Sequence, residues 1–357
     1  LTYVINFRID YKYVLSNSVE IRSKCKCEKP LVVKKYEENV YGRDDYIVID
    51  GAKSQDQLSA LLEKYSTYVK NIHVNPRFTC DLFNSVRHGP NQRVFGYSIY
   101  GSNINYYKLV ELLAENIRQL YPGWIMRVYY DSQQKGVLKD ELCRMQCANP
   151  SIINVCDVNT INEKFESNIY ADLSYVHGMM WRWLPIGDDF VDYFASRDLD
   201  SKLIQREKDS ADVWMSSNTL FHIMRDNPYH STSILGGMWG YANVRNRKLG
   251  STIYEDMISK KTQSLFNAGR GNHKNGDQAY LARNVWGFAV HNSTQHDSYL
   301  CTRFENAQPF PTQRPENKYC FAACFYDCCD ERLKQTARMP ECPLECRPKD
   351  HKDWKYC

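Results

Sequence analysis

The sequence has no apolar run of about 18 residues, so no segment of it reads as a membrane span. It has no C-x2-C pair among its 14 cysteines, which removes the spacing a zinc module would want. Internal repeats and low-complexity stretches are absent. Charge of one sign is scarce as well: 46 Lys and Arg stand against 42 Asp and Glu, a formal +4 mixed along the chain. A nucleic-acid binder concentrates its basic residues in a patch, so that class is disfavoured.

What is present fits a globular protein with a sizeable core: 357 residues, 43% of them apolar. Tyrosine is abundant, with 26 copies beside 7 Trp. Aromatic faces suit sugar rings, although ordinary packing accounts for any one of them. Eight of the 14 cysteines fall between Cys301 and Cys357. The tail reads C-x3-C-x3-C-C from Cys320 to Cys329, then C-x3-C at Cys342 and Cys346. In an oxidising compartment such residues become disulfides, and sequence leaves their pairing open. Asn292-Ser293-Thr294 is a glycosylation sequon, in keeping with a secretory route. The chain begins at Leu1 rather than Met, which reads as a trimmed or processed form.

Three regions are expected: a mixed N-terminal stem-like part over residues 1–93, a catalytic α/β domain over 94–314, and a cysteine-rich cap over 315–357. In the first, Ser54 and Gln57 have capping-box spacing ahead of Leu58, Leu61, Leu62, Tyr65 and Val69. From Val94, strands and helices alternate. VFGYSIYG reads as a buried strand, followed by a helix carrying Leu109, Leu112, Leu113, Ile117 and Leu120 that breaks at Pro122-Gly123. WIMRVYYD, SIINVCDV, VDYFAS, TLFHIMRD and WGFAVHN read as further strands. Asp200 or Ser201 is expected to cap a helix through Glu207 and Trp214, ILGGMWGY to bend, Ser251 to open a helix, and DQAYLARNVW to be helical. This cadence implies a largely parallel sheet, which binds ligands beyond the carboxyl ends of its strands.

The chemistry centres on Asp198-Leu199-Asp200, two carboxylates one residue apart where a strand ends. Such a pair can hold a divalent cation from one side, and hard oxygen ligands suit Mn2+ or Mg2+. SRDLDS, preceded by WRWLP and followed by a strand and GGMWG, resembles the D-x-D region of GT-A-type, metal-dependent glycosyltransferases. The resemblance runs from VFGYSIYG through LYPGW and VYYD to NGDQAYLARNVW and HDSY, roughly Val94 to Arg314.

The resemblance implies a GT-A-like, Rossmann-like parallel sheet flanked by helices. It implies transfer of a sugar from a nucleoside diphosphate donor, a UDP-sugar, to a hydroxyl of a glycan or glycoprotein. Asp198 would face the donor and metal, and Asp200 would ligate the metal directly. Ser98 and Tyr100 would line the nucleotide pocket. Arg182 and Arg197 would approach the donor, Arg182 having the alternative of a salt bridge. His296 would be the third metal ligand, with His291 as competitor and Asp297 as a helper orienting the imidazole. Asp277 would be the general base of an inverting reaction or would orient the donor sugar, with an N-cap role alongside. Gly237 and Trp239 would meet a sugar ring, the alternative being a tight buried turn. Arg270, His273 and Lys274 could form a lid over the diphosphate. The family's habit adds a Golgi lumen and an N-terminal anchor outside this chain.

Two rivals remain. GDDFVD resembles a HAD-like phosphatase element, but it lies before the D-x-D rather than well after it. A secreted, disulfide-stapled carbohydrate-binding module, or an inactive homologue, is the non-enzymatic alternative.

Overall fold

A computed structural model describes residues 18–27, 31–36, 45–50, 77–100, 103–162, 170–267, 276–304, 306–314, 319–325, 329 and 339–357. The expected helix through Leu58 and Val69 and the loop carrying Arg270, His273 and Lys274 lie outside these residues. Near the N-terminus, β1 (Ser18–Ile21), β2 (Leu31–Tyr36) and β3 (Asp45–Asp50) form an antiparallel meander.

The centre is an eight-stranded sheet built from β4 (Gln92–Ser98), β5 (Trp124–Tyr130), β6 (Ile153–Asp157), β9 (Val191–Ser196), β10 (Phe221–Arg225), β11 (Trp239–Ala242), β12 (Ser293–Asp297) and β13 (Ala307–Gln308). A small hairpin, β7 (Ile161–Asn162) and β8 (Tyr170–Ala171), stands apart. The order is β13-β12-β10-β11-β9-β4-β5-β6, and every pairing is parallel except those of β11 with β9 and β10. The chain runs outward from β4 through β5 to β6, then returns to lay β9 on the other side of β4. That reversal opens a crevice beyond the carboxyl ends of β4 and β9, where α/β sheets take their ligands.

Alternation along the strands fills a core on each face. Val94, Ile125 and Tyr129 join one cluster with Trp181, Trp183, Phe194 and Trp239. Phe95, Tyr97, Met126, Val128 and Tyr130 join the other. The helix Ile104–Leu120 covers the second through Tyr107, Val110, Leu113, Ala114 and Ile117, a stripe at helical spacing. Leu112, expected inside, is exposed. Asn103 caps this helix, and Gly123 takes a left-handed turn at φ 83° that sends the chain into β5.

Several expected elements differ. The helix over Gln205–Ser216 starts without a side-chain cap, because Asp200 and Ser201 belong to the preceding turn. Residues 239–242 of the glycine-rich stretch form β11, the antiparallel strand, rather than a bend. The next helix starts at Arg247, with Asn246 capping Leu249, ahead of Ser251. WGFAVHN alternates like a strand but continues a helical run, α-helix to Tyr280, a π turn over Leu281–Val285, then Trp286–Ala289. The strand follows at Ser293, and Phe288 lies exposed.

Six disulfides are described, and among the described residues no cysteine is free. Cys25 and Cys27, alternate residues of one segment, reach Cys143 and Cys147, one turn apart on the helix Lys139–Ala148. Cys80–Cys156 ties the approach to β4 onto β6. Cys301–Cys346, Cys320–Cys329 and Cys342–Cys357 staple the tail. Bridges in this number belong to an oxidising compartment. Among the described residues no helix is long and apolar enough to cross a membrane.

Candidate active site

The crevice between β4 and β9 is built by close backbone approach. A 3-10 segment over Gly178–Gly187 buries Met180, Trp181, Trp183, Leu184 and Ile186 and crosses β4. At Gly96 a Cβ would stand 1.9 Å from the Arg182 carbonyl oxygen, so only glycine admits this crossing. Arg182 is thereby laid over the end of β4, where Ser98 Oγ accepts its backbone N–H at 2.9 Å.

From there the Arg182 guanidinium joins two acids. Nη1 donates to Asp198 Oδ1, and Nη2 donates to Asp277 Oδ2 at 3.0 Å. Burial opposes the charge on Arg182, but the Asp198 and Asp277 carboxylates outweigh it and hold its pKa above the usual value. Asp277, in the helix Gly276–Tyr280, also accepts the Gln278 N–H through Oδ1 at 2.8 Å. It is nearly fully buried, and both of its oxygens are engaged.

Leu199 is buried in the core beside β9 and the helix Gln205–Ser216, while Asp198 and Asp200 on either side of it line the crevice. Behind Asp198 lies the Gly236-Gly237 bend. A Cβ on Gly237 would come within 1.9 Å of Asp198 Oδ2, and one on Gly236 within 2.4 Å of Asp277 Oδ2. Ser196 Oγ and Trp183 Nε1 both donate to the Gly236 carbonyl, at 2.7 and 3.0 Å, which pins the bend. Asp200 has no ion-pair partner among the described residues. Burial, then repulsion from Asp198, pushes its carboxyl pKa up.

Two adjoining clefts share Met179, Arg182, Asp198 and Asp200. The narrower, of about 180 Å3, adds Ser98, Ile99, Tyr100 and Tyr106. The wider, of about 490 Å3, adds Gly236, Gly237, Asp277, Gln278, Asn227, His230 and aromatic residues of the tail. Ser98, Tyr100, Arg182, Asp198, Asp200, Gly237 and Asp277 are thus brought together.

Five expected residues are not. Arg197 points away from the crevice: it is buried against Glu207 at 2.5 Å, donates to the Ser196 carbonyl at 2.6 Å, and covers the Phe95 ring. Trp239 is buried between Trp183, Phe194 and Phe221, a core residue no sugar can reach. His296 lies inside the sheet on β12 beside His222 and Phe310, its Nε2 accepting from Gln308 Nε2 at 3.1 Å. Burial, then Arg206, pushes its pKa down to about 3. Asp297 pairs with Arg225 at 2.6 Å instead of orienting that imidazole. His291 is an exposed residue outside both clefts. Among the described residues no three His, Cys, Asp or Glu side chains converge as a metal cluster. At the sequon, Asn292 is half-buried and its Oδ1 accepts the Leu220 N–H at 2.9 Å, so it ties strands together.

The Arg197 correction has a measurable consequence. Arg197→Leu strands Glu207 in the core and is expected to cost about 3–5 kcal/mol of unfolding free energy in urea. Ligand affinity per folded molecule should stay unchanged, since Arg197 lines neither cleft.

Sequence reasoning missed His230. It follows β10, whose carboxyl end lies on the same edge of the sheet as that of β9. The rule that drew attention to Asp198 therefore applied equally to Asn227-Pro228-Tyr229-His230. His230 lines the wider cleft. Its Nδ1 accepts the Asp226 backbone N–H at 3.1 Å, which leaves Nε2–H as the ring's remaining donor. Burial, only partly offset by Asp226 and Asp198, lowers its pKa to about 4, so the ring is neutral at physiological pH.

No family model matches the chain, and no curated protein matches it. Among solved structures it is similar to a glycosyltransferase involved in the glycosylation of the major capsid of PBCV-1, with 16% sequence identity and a TM-score of 0.32, over 59% of this chain and 82% of that one.

Proposed function

We propose that this chain is a GT-A-type glycosyltransferase that moves a hexosyl or N-acetylhexosaminyl group from a UDP-sugar to a hydroxyl of a glycan or glycoprotein in the secretory pathway, in the Golgi lumen or outside the cell. The observation that carries the proposal is the meeting of Asp198, Asp200 and Arg182 in an open cleft where the strand order reverses. A guanidinium and a bound metal ion each offset the charge of a diphosphate, and this arrangement can supply both.

A divalent cation fits the residues present. Asp200 has no ion-pair partner among the described residues and feels the repulsion of Asp198, a charge arrangement that a cation relieves. With two carboxylates and no third protein ligand among the described residues, water and donor phosphates would complete the shell, as suits Mn2+ or Mg2+. When bound at Asp198 and Asp200, the ion would neutralise charge gathering on the departing diphosphate.

The chain's own groups do the rest. Ser98, Tyr100 and Tyr106 form the walls that receive the nucleoside. Arg182, held from both sides by Asp198 and Asp277, presents a preorganised guanidinium to the phosphates or donor sugar. With both oxygens engaged, Asp277 serves as the positioning residue for Arg182 rather than as the proton acceptor. Gly237 lets Asp198 sit flush against the bend and leaves the sugar side of the cleft open. His230 offers a neutral Nε2–H to a donor oxygen.

His230→Ala should lower kcat/KM by about 10–100-fold, in line with the loss of one hydrogen-bond donor to a charged group. Metal affinity should not change, because a ring whose proton sits on Nε2 is not a ligand there. The proposal as a whole is tested by UDP release from UDP-glucose, UDP-galactose and their N-acetylated counterparts with Mn2+ and a mixed glycan acceptor. Release from at least one donor supports it; none from any would count against it.

A further inference from the structure

The wider cleft has an aromatic wall made by the cysteine-rich tail, and neither the metal nor the diphosphate accounts for it. Tyr319, Phe321, Ala323 and Phe325 line it together with Asp198 and Asp200, and Tyr229, from the turn after β10, lines it as well. Phe325 is 68% exposed and Tyr229 88% exposed. Two exposed rings beside a charged cleft incur a hydration cost that a ligand would relieve.

The tail is anchored to the site. Ser201, next to Asp200, forms an antiparallel bridge with Phe325, and its Oγ donates to the Ala323 carbonyl at 3.3 Å. The Ala322 N–H donates at 2.8 Å to Asp226, a buried carboxylate that also receives Arg206 and Ser298. Phe321 packs on His230 and Tyr319 at ring distances of 5.6 and 5.2 Å. The Cys320–Cys329 bridge closes the segment carrying Phe325. The metal-side turn, the strand end before His230 and the aromatic wall are therefore one connected structure.

We infer that this tail-built wall is the acceptor subsite, and that it takes a saccharide chain whose ring faces stack on Phe325 and Tyr229. The inference rests on the donor-site reading for its orientation. The chemistry of the lining favours a saccharide over an apolar peptide. Exposed rings share the lining with Asn227, Gln278 and His230, and a pyranose likewise presents both C–H faces and hydroxyls. The wall adjoins the acidic pair, so a stacked ring brings its hydroxyl to where a donor sugar would end.

The test uses the whole chain with its disulfides intact. Wild type, Phe325→Ala and Phe325→Ala/Tyr229→Ala are probed on an array of immobilised oligosaccharides with hexose, N-acetylhexosamine and uronic acid termini. UDP·Mn2+ affinity is measured in parallel. Both side chains are exposed, so the variants should keep the wild-type urea midpoint. The expected result is wild-type binding to a subset of glycans, weakened about tenfold or more in the double variant, with UDP·Mn2+ affinity unchanged. Glycan binding that survives both substitutions overturns the subsite, as does wild type that binds no glycan while binding UDP·Mn2+. Aromatic-dependent glycan binding without UDP·Mn2+ binding would uphold the subsite and sink the donor-site reading.

Discussion

Asp200→Asn is expected to cut sugar transfer by about 10²–10³-fold, because a bound cation contributes several kcal/mol of transition-state charge stabilisation. Without metal, the variant should be no less stable than wild type. Burial and the neighbouring Asp198 both disfavour the charged form of Asp200, so neutralising it removes repulsion. A loss of activity with retained or raised urea midpoint is the pattern of a ligand-holding carboxylate. Loss of both together would make Asp200 a structural group. Transfer rates with Mn2+ across a concentration series, set beside urea unfolding without metal, separate the two.

Arg182→Met is the second large effect, and it acts on stability and binding at once. It leaves Asp277, whose side chain is 3% exposed, without its cationic partner in a dry part of the site. The expected cost is about 3–5 kcal/mol of unfolding free energy. Adding Asp277→Asn removes the stranded charge, so the double variant should recover most of that stability. Donor binding should not recover, since the guanidinium aimed at the phosphates is still missing. Recovery of binding in the double variant would mean that Arg182 only neutralises Asp277. Denaturation curves and nucleotide titrations of both single variants and the double variant read the two effects apart.

The βαβ cadence was legible because β4, β5 and β6 are nearly continuous apolar runs with turn residues between them. The acidic pair was legible because Asp198 and Asp200 follow such a run, where a strand ends. The order of the sheet was not legible. Pairing of β9 with β4, and of β10 with β12, is decided by packing between segments far apart in sequence. Without that order His296 and His230 looked alike, each a histidine near a strand. In the fold, one lies inside the sheet on β12 and the other beyond the end of β10, on the edge shared with Asp198.

Arg197 and Trp239 failed for a related reason. Both neighbour site residues in sequence, but a change of side-chain direction at each step sends one neighbour to the cleft and the next to the core. Asp198 lines the cleft and Arg197 does not; Met238 lines it and Trp239 does not. The tail's part in the site was hidden as well. Its cysteine spacing announced bridges, but the contact that brings Phe325 to Ser201 joins residues far apart in sequence.

The central claim is that Asp200 and its neighbours hold a metal-bound nucleoside diphosphate. Calorimetric titration of UDP and of GDP, with and without Mn2+, into wild type and Asp200→Ala tests it most directly. The account predicts tight UDP binding that requires Mn2+ and disappears in the variant. Binding of neither nucleotide by folded wild-type protein, with or without the ion, would contradict it.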